Sequence, residues 1–335
     1  MRRASLTTAA ACAAIAAAAA VGPAAAITSR AGAGALQGRA LVHRSRPHDG
    51  RTGGVSEYGC PVLPESDPLN REVTRWPVSP RSARYIASIG AGVHLHADFG
   101  TEREYGIPYT VVGRRQRKVP IRFTEYGEES NRGPYPVPRN APVEGAGRAG
   151  SGDKHVLVLQ EGSCRLYEMW NARRAGRGWL AGSGAIFNLR SAALRPEGWT
   201  SADAAGLPIF PLLARYPEIA GTRRIDHALR VTVPETQRAY IHPATHFASG
   251  NSDPNLPPMG LRLRLKASFS LAGFSGQSRV ILEALKRYGL IVADNGSPWF
   301  ITGAPSAGWD DENLQQLGRV PGSAFEALES GPIHR

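Results

Sequence analysis

Prolines are so frequent between residues 59 and 150 that this part of the chain cannot form long helices. They fall in stretches such as CPVLPESDPLN, RWPVSP and NRGPYPVPRNAPVEG. A proline removes a backbone N–H and clashes with the preceding helical turn, and within sheets it is confined to edges and strand ends. This region is therefore predicted to contain short strands joined by extended turns.

Clearer strand patterns follow residue 150. KHVLVLQ (154–160) and CRLYEMW (164–170) are separated by EGS and predict a β-hairpin. LIVADNG and PWFITG predict a second hairpin through Asn295-Gly296. Further strands are expected at GAIFNL (184–189), RIDHALRVTV (224–233), RAYIHPA (238–244) and LRLRLKASF (261–269).

One late segment has the apolar spacing of a helix. In SGQSRVILEALKRYG, apolar residues recur at 280, 281, 284, 285 and 288, and Gly289 ends the pattern. A short helix is also expected in DDENLQQLGRV. The predicted fold is mainly β, a β-sandwich or jelly-roll-like domain with one late α-helix, and an α+β fold is the second choice.

The N-terminal residues predict export. Residues 1–26 have two arginines, an alanine-rich apolar run and a small-residue cleavage site, which is the pattern of a signal peptide of the Sec or Tat type. Residues 27–58 are rich in Gly, Arg and Ser and predict a flexible basic linker. A single β-rich globular domain is expected over 59–329. No later stretch approaches about 20 apolar residues, so we expect a secreted protein without an integral membrane segment.

The cysteines and the net charge bear on the compartment of the protein and on its binding partners. Cys12 leaves with the predicted signal peptide, so Cys60 and Cys164 are expected to form a disulfide in an oxidising compartment, with two separate buried thiols as the alternative. The net charge of +12 suits contact with an anionic polymer such as a polysaccharide. A nucleic-acid partner is not expected, because no helix-turn-helix, RNA-recognition or zinc-finger pattern is present. The oligomeric state stays open.

Three polar side chains alternate in the stretch GVHLHADFG. On a strand, His94, His96 and Asp98 would project from one face. The stretch resembles the H-x-H-x-D-H run of the metallo-β-lactamase family, which implies metal ligands, although Phe99 stands at the position of the last histidine. It also resembles the first cupin motif, with Glu102 at a longer spacing. The candidate metal ligands are His94, His96, Asp98 and His246; otherwise Asp98 caps a turn.

A second group of polar residues lies between positions 226 and 246. The strands expected on either side of PETQ predict a hairpin that brings candidate catalytic residues together. Arginine, histidine and tyrosine can neutralise a substrate carboxylate, remove a proton and protonate a leaving oxygen, as β-elimination of a uronic-acid polymer requires. Alternatively, these side chains only pack and hydrogen-bond within the fold. The candidates are His227, Arg230, Tyr240 and His242.

Carboxylates support a competing enzyme class. Glycoside hydrolysis needs two acids that face one groove. Glu168 lies between apolar strand residues, where its pKa would rise, and Asp203 lies among small residues in GWTSADAAGLP. Alternatively, Thr200 or Ser201 caps a short helix with Asp203 in its first turn. The candidate substrate-binding residues are Trp199, as a stacking platform, and Arg262 and Arg264, on the basic face of a half-buried strand.

Export, the strand-rich pattern and these polar groups favour an exported polysaccharide-active enzyme, either a lyase or a glycoside hydrolase. A non-catalytic glycan- or cell-wall-binding protein and a histidine-ligated metalloenzyme are the alternatives. No organic cofactor is expected. GAGRAG has the G-x-G-x-x-G spacing at Gly145, Gly147 and Gly150, but it lacks the preceding strand and the following helix of a dinucleotide site.

Overall fold

The computed structural model describes residues 56–145 and 152–335. The predicted signal peptide, residues 27–55 of the predicted linker, and Gly147 and Gly150 lie outside the described residues. The linker prediction extends to residue 58, but Ser56–Glu57 pairs with Cys60–Pro61 as the first two strands. The predicted domain boundaries remain a prediction.

Strands dominate the described structure, with 26 % of the residues in strands and 16 % in helices, which confirms the mainly β class. The described strands are β1 Ser56–Glu57, β2 Cys60–Pro61, β3 His96–Asp98, β4 Tyr109–Val112, β5 Ile121–Phe123, β6 Val156–Gln160, β7 Arg165–Trp170, β8 Arg173–Ala175, β9 Gly178–Ala181, β10 Ser183–Asn188, β11 Leu229–Val233, β12 Arg262–Leu265, β13 Leu290–Asn295, β14 Phe300–Thr302 and β15 Phe325–Ala327. The proline-rich first half contributes short strands, as predicted.

The helices are short, and the predicted late helix is confirmed. They are α1 Ser82–Ile89, α2 Tyr216–Gly221, α3 Gly276–Arg287 and α4 Asp311–Leu314, with 3₁₀ turns at Pro68–Asn70, Phe210–Leu212, Gln315–Arg319 and Gly322–Ala324. Gly289 ends α3 with φ of 72°, and a Cβ there would lie 2.1 Å from the Leu263 carbonyl oxygen, so the turn requires glycine. Within the described residues, every helix is too short or too polar to cross a bilayer.

The strands form four sheets within residues 56–145 and 152–335. In spatial order these are β1-β2, β10-β7-β6-β4, β5-β9-β8 and β15-β12-β13-β11-β14-β3. The four-stranded sheet contains the predicted hairpin, since β6 and β7 pair antiparallel from Val156↔Met169 to Gln160↔Arg165. Its side chains alternate between two apolar cores: Leu157 and Leu166 join the main core, whereas Val158 and Tyr167 join the smaller one.

The second predicted hairpin is wrong, because another strand lies between its two arms. β11 pairs in parallel with β13 on one side and antiparallel with β14 on the other. After Asn295 and Gly296 the chain therefore passes β11 and joins the sheet as β14 on the far side of β11, instead of pairing with β13. This insertion makes β11 an interior strand of the six-stranded sheet, and it places Arg230 in the middle of the fold.

The predicted hairpin over 224–244 is also wrong. β11 ends at Val233, and residues 238–244 form isolated pairings instead of a strand. Tyr240 pairs with Met259 and with His334, so its backbone partners come from distant segments. Arg230 and His227 are consequently not paired with Tyr240 or His242.

The basic face predicted for residues 261–266 is not a solvent face. All four residues of β12 are buried, and Arg262 and Arg264 are 2 % and 8 % exposed. Arg262 donates to the carbonyls of Tyr288 and Pro68. Arg264 donates to the Glu326 carboxylate and to the Val73 carbonyl. The guanidinium groups thus donate to partners within the fold. Arg262 and Arg264 therefore present almost no exposed surface to the predicted substrate.

The predicted disulfide is confirmed. Cys60 and Cys164 are bonded across 104 positions of sequence, with their Cα atoms 5.3 Å apart. Cys164 directly precedes β7, so the bond attaches the start of the described chain to the four-stranded sheet. Both residues are fully buried in the main core.

We expect the variant C60A/C164A to lose about 2–4 kcal/mol of unfolding free energy, because the bond restricts the unfolded chain over a long loop. Urea unfolding of the oxidised wild type and of the variant measures the difference. The reduced wild type is the control and should match the variant. A variant as stable as the oxidised wild type would contradict the prediction.

Candidate active site

Arg230 of β11 lies at the centre of a cluster of acidic side chains. Its guanidinium is nearly buried and donates to Asp203 Oδ1 at 2.8 Å and to Thr302 Oγ1 at 2.8 Å. The same terminal nitrogen that contacts Asp203 is 3.6 Å from Asp294 Oδ2. Two carboxylates therefore share one guanidinium nitrogen.

The register of the six-stranded sheet brings these side chains to one face. Thr302 lies opposite Asp98 on β3, and Phe300 lies opposite His96. Because residues paired across neighbouring strands share a face, Asp98 lies on the same face as Thr302, and the Thr302 hydroxyl accepts from Arg230 on that face. The alternating His96 and Asp98 of the sequence thus reach the edge of the Arg230 cluster.

A β-bulge places Asp294 on this face. Arg230 pairs with Ile291 and Val231 with Val292, but Thr232 then pairs with Asp294. The extra residue on β13 shifts the alternation by one position, so Asp294 points toward Arg230 instead of away from it. Bulges commonly redirect side chains beside active sites. The Asp294 side chain is 22 % exposed, so solvent reaches it.

Asp203 enters the cluster from a loop and is fully buried. Its N–H donates to Ser201 Oγ at 2.8 Å, and the Ser201 hydroxyl donates to the Leu207 carbonyl. These bonds form a serine turn, so the alternative of a short capped helix at this position is wrong. Asp203 Oδ2 and Arg230 Nε are buried and have no hydrogen-bond partner.

A histidine–carboxylate pair adjoins the cluster. His155 Nδ1 lies 2.6 Å from Glu144 Oε2, and Nε2 lies 2.9 Å from the Ala202 carbonyl oxygen. Burial lowers the pKa of His155, but the Glu144 carboxylate outweighs this and raises it to about 9. Burial alone would raise the pKa of Glu144, but the charge of His155 holds it below its usual value. This pair is therefore ionised at neutral pH, and the bond from His155 Nε2 to the Ala202 carbonyl holds the backbone next to Asp203.

The acids of the cluster differ in their affinity for a proton. Burial, and then the Asp203 charge, raise the pKa of Asp294 to about 7. Burial also raises the pKa of Asp203, against the opposing charge of Arg230. The pKa of Asp98 rises through burial and the Glu144 charge, while His96 and Arg230 oppose the rise. Asp294 is consequently a partly exposed carboxyl group that is poised to exchange a proton near neutral pH.

An aromatic pair borders the acids. The His96 and Phe300 rings stack with their centroids 4.1 Å apart. His96 is exposed and Phe300 is half-buried. Each lies two residues before a member of the Asp98–Thr302 pair on its own strand, so both rings share the face of that pair. An apolar ring surface thus adjoins titratable oxygens, which is a common composition of ligand sites.

Glu168 has a different environment from the one predicted for a catalytic acid. It is fully buried, and its carboxylate accepts the N–H of Ile209 at 2.9 Å and that of Phe210 at 2.9 Å. Burial raises the pKa of Glu168 to about 7, as expected from its apolar strand neighbours. The hydrogen bonds from these two backbone N–H groups hold the start of the 3₁₀ turn at Phe210–Leu212. Glu168 therefore supports the fold instead of facing solvent.

His227 belongs to a separate buried network. Its Nδ1 lies 2.8 Å from the Ala228 carbonyl oxygen, and its Nε2 lies 3.0 Å from Glu218 Oε1. Arg215, fully buried, binds Glu218 at 2.8 Å and Glu57 at 2.8 Å. These contacts use both ring nitrogens of His227 within the structure.

Tyr240 and His242 lie with Glu197, away from Arg230. The Tyr240 hydroxyl donates to one Glu197 oxygen and His242 Nε2 lies 2.7 Å from the other.

His246 lies apart, with Nδ1 donating to the Ala204 carbonyl at 2.8 Å. Trp199 is half-buried, and the Arg195 guanidinium lies 5.6 Å from its ring centre.

The predicted metal ligands do not converge. His94 is exposed and pairs through its backbone with Pro321. Within the described residues, the side chains that group at metal-ligand spacing are those of Glu197, His242 and His334. This group includes none of the four predicted ligands, which are His94, His96, Asp98 and His246.

The residues that sequence reasoning missed are Asp294 and Thr302, together with the place of His155 beside the cluster. One signal was present for Asp294, since a charged residue directly follows the buried run LIVA. The bulge that turns it toward Arg230 has no sequence signature. A surface pocket of about 240 Å³ is lined by other residues, including Asn131, Arg165 and Arg195. None of the acids of the Arg230 cluster lines this pocket.

No family model, curated protein or solved structure matches the chain. Its function must therefore be inferred from the chemistry of its own side chains.

Proposed function

We propose that the protein is an exported polysaccharide hydrolase with its acid–base groups in the Arg230 cluster. The observation that carries the proposal is Asp294, a partly exposed carboxyl group whose pKa is raised to about 7 and which shares Arg230 with buried Asp203. Such a group can protonate a glycosidic oxygen near neutral pH. A glycoside hydrolase also needs a second carboxylate, and Asp98 is another acid on this face of the sheet, on the strand two places from β11.

Hydrolysis fits this chemistry better than β-elimination. A lyase needs a cation that is free to neutralise the carboxylate of a uronic acid. Arg230 is nearly buried and already binds Asp203 and Thr302, so it has little capacity for a substrate carboxylate. The substrate class we propose is therefore a neutral polysaccharide, whose rings rest against His96 and Phe300.

Incubation of the protein with a panel of neutral and uronic-acid polysaccharides tests the proposal. We expect new reducing ends from a neutral polymer, without the ultraviolet absorbance of an unsaturated uronide. Unsaturated products from an anionic polymer would show a lyase and contradict hydrolysis. Binding without cleavage on every polymer would show a glycan-binding protein and also overturn the proposal.

A further inference from the structure

A second group of side chains lies outside the Arg230 cluster. The ligand atoms of Glu197, His242 and His334 all lie within 4.8 Å of one another. His242 Nε2 is 2.7 Å from Glu197 Oε1, and the rings of His242 and His334 stack with centroids 4.2 Å apart. Two imidazoles and one carboxylate form a donor set that suits zinc and neighbouring transition metals.

The backbone holds His334 in place. Its N–H donates to the Tyr240 carbonyl at 2.8 Å, and the Tyr240 N–H donates to the His334 carbonyl at 3.0 Å. The Tyr240 and His334 rings also stack, with an interplanar angle of 10°. A residue next to the C-terminus is thus anchored at two points beside His242. This reduces the entropy lost when its ring is ordered by a ligand.

A hydrogen bond from outside the donor set orients the carboxylate. The Tyr240 hydroxyl donates to Glu197 Oε2 at 2.5 Å, which leaves Oε1 directed toward His242. Hydrogen bonds of this kind are typical of ligating carboxylates in metal sites.

Solvent can reach the group. The side chains of His242 and Glu197 are 38 % and 57 % exposed. Their chain neighbours Pro243 and Pro196 line the surface pocket of about 240 Å³. Three protein ligands leave at least one coordination position of a tetrahedral ion for water or another small ligand. An ion bound here would therefore lie beside a concave surface.

We propose that Glu197, His242 and His334 bind one divalent transition-metal ion of the zinc class. The site is independent of the proposed hydrolase, because it shares no residue with the Arg230 cluster. Magnesium and calcium are excluded as occupants by the two imidazoles, since those ions prefer oxygen ligands.

Isothermal titration of the metal-free full chain with Zn²⁺, and separately with Mg²⁺, tests this proposal. We expect one equivalent of Zn²⁺ to bind and Mg²⁺ not to bind. The variants H334A, H242A and E197Q should each weaken Zn²⁺ binding by more than about tenfold, since each removes a ligand. H334A is the most informative, because it alters a half-buried side chain outside the described helices and strands.

The variant H94A is the matched control, because His94 is an exposed histidine outside the group. It should bind Zn²⁺ as the wild type does. Substoichiometric binding by the wild type, below about a tenth of an equivalent, would overturn the proposal. Equal Zn²⁺ affinity in H334A, E197Q and the wild type, with far-ultraviolet circular dichroism showing folded variants, would overturn it as well.

Discussion

Replacement of Asp294 by asparagine is expected to lower the rate of polysaccharide hydrolysis by about 10²–10⁴-fold, the usual contribution of a general acid. The amide has nearly the shape of the carboxyl group but cannot deliver a proton. The rate is measured as reducing ends released from the polymer that the wild type cleaves best.

The pH dependence follows from the same group. The acid must be protonated to act, so the wild-type rate should fall as pH rises above about 7, the pKa of Asp294 in the folded protein. The alkaline limb of the wild-type profile should be absent from any residual activity of D294N. If D294N kept the alkaline limb at the same pH, the limb would report the ionisation of a group other than Asp294.

The stability of D294N separates catalysis from folding. The pKa of Asp294 is raised from 3.8 to about 7 in the folded state, so the folded protein loses stability as pH rises from about 4 to about 7. Asparagine carries no charge, and we therefore expect D294N to be at least as stable as the wild type above that pH. D253N is the matched control, because Asp253 is exposed and lies outside the cluster, and it should keep full activity.

Replacement of Arg230 by methionine is expected to cost about 3–5 kcal/mol of unfolding free energy, because it leaves the Asp203 carboxylate buried without its partner. Urea unfolding near neutral pH measures the loss. The cost should shrink as pH falls, since protonation of Asp203 removes the uncompensated charge. The double variant R230M/D203N should recover most of the loss, because neither partner is then charged.

Arg287→Met is the matched control for R230M. Arg287 pairs with Glu72 at the surface, where both side chains are well exposed, so its loss should cost at most about 1 kcal/mol. Two outcomes would contradict the prediction: R230M as stable as R287M, or the double variant no more stable than R230M. Either would show that the Arg230–Asp203 pair does not hold the loop around Asp203 against β11.

Local patterns in the sequence were sufficient where the partner lies nearby along the chain. The alternation in KHVLVLQ and CRLYEMW predicts the β6–β7 hairpin, because only four residues join its arms. The helix α3 follows from its apolar spacing and from Gly289. The candidate site could be predicted only in part: Arg230 and Asp203 were named from their contexts, and their direct contact was not foreseen.

Pairing over long distances explains the errors. The β13 and β14 segments look like the arms of a hairpin, but β11 lies between them, since an interior strand buries more apolar surface than an edge strand. Arg262 and Arg264 alternate with leucines as a solvent-exposed face would, and they are buried because carbonyl and carboxylate partners from remote segments satisfy them.

The sequence by itself determined the mainly β class, the late helix and the cysteine pair, because these depend on local periodicity and on the redox chemistry of two thiols. Only the tertiary structure decided which acids surround Arg230 and that His334 reaches His242. The physical reason is that a bulge and a crossed strand order set which side chains share a face. Neither leaves a periodic signal in the chain.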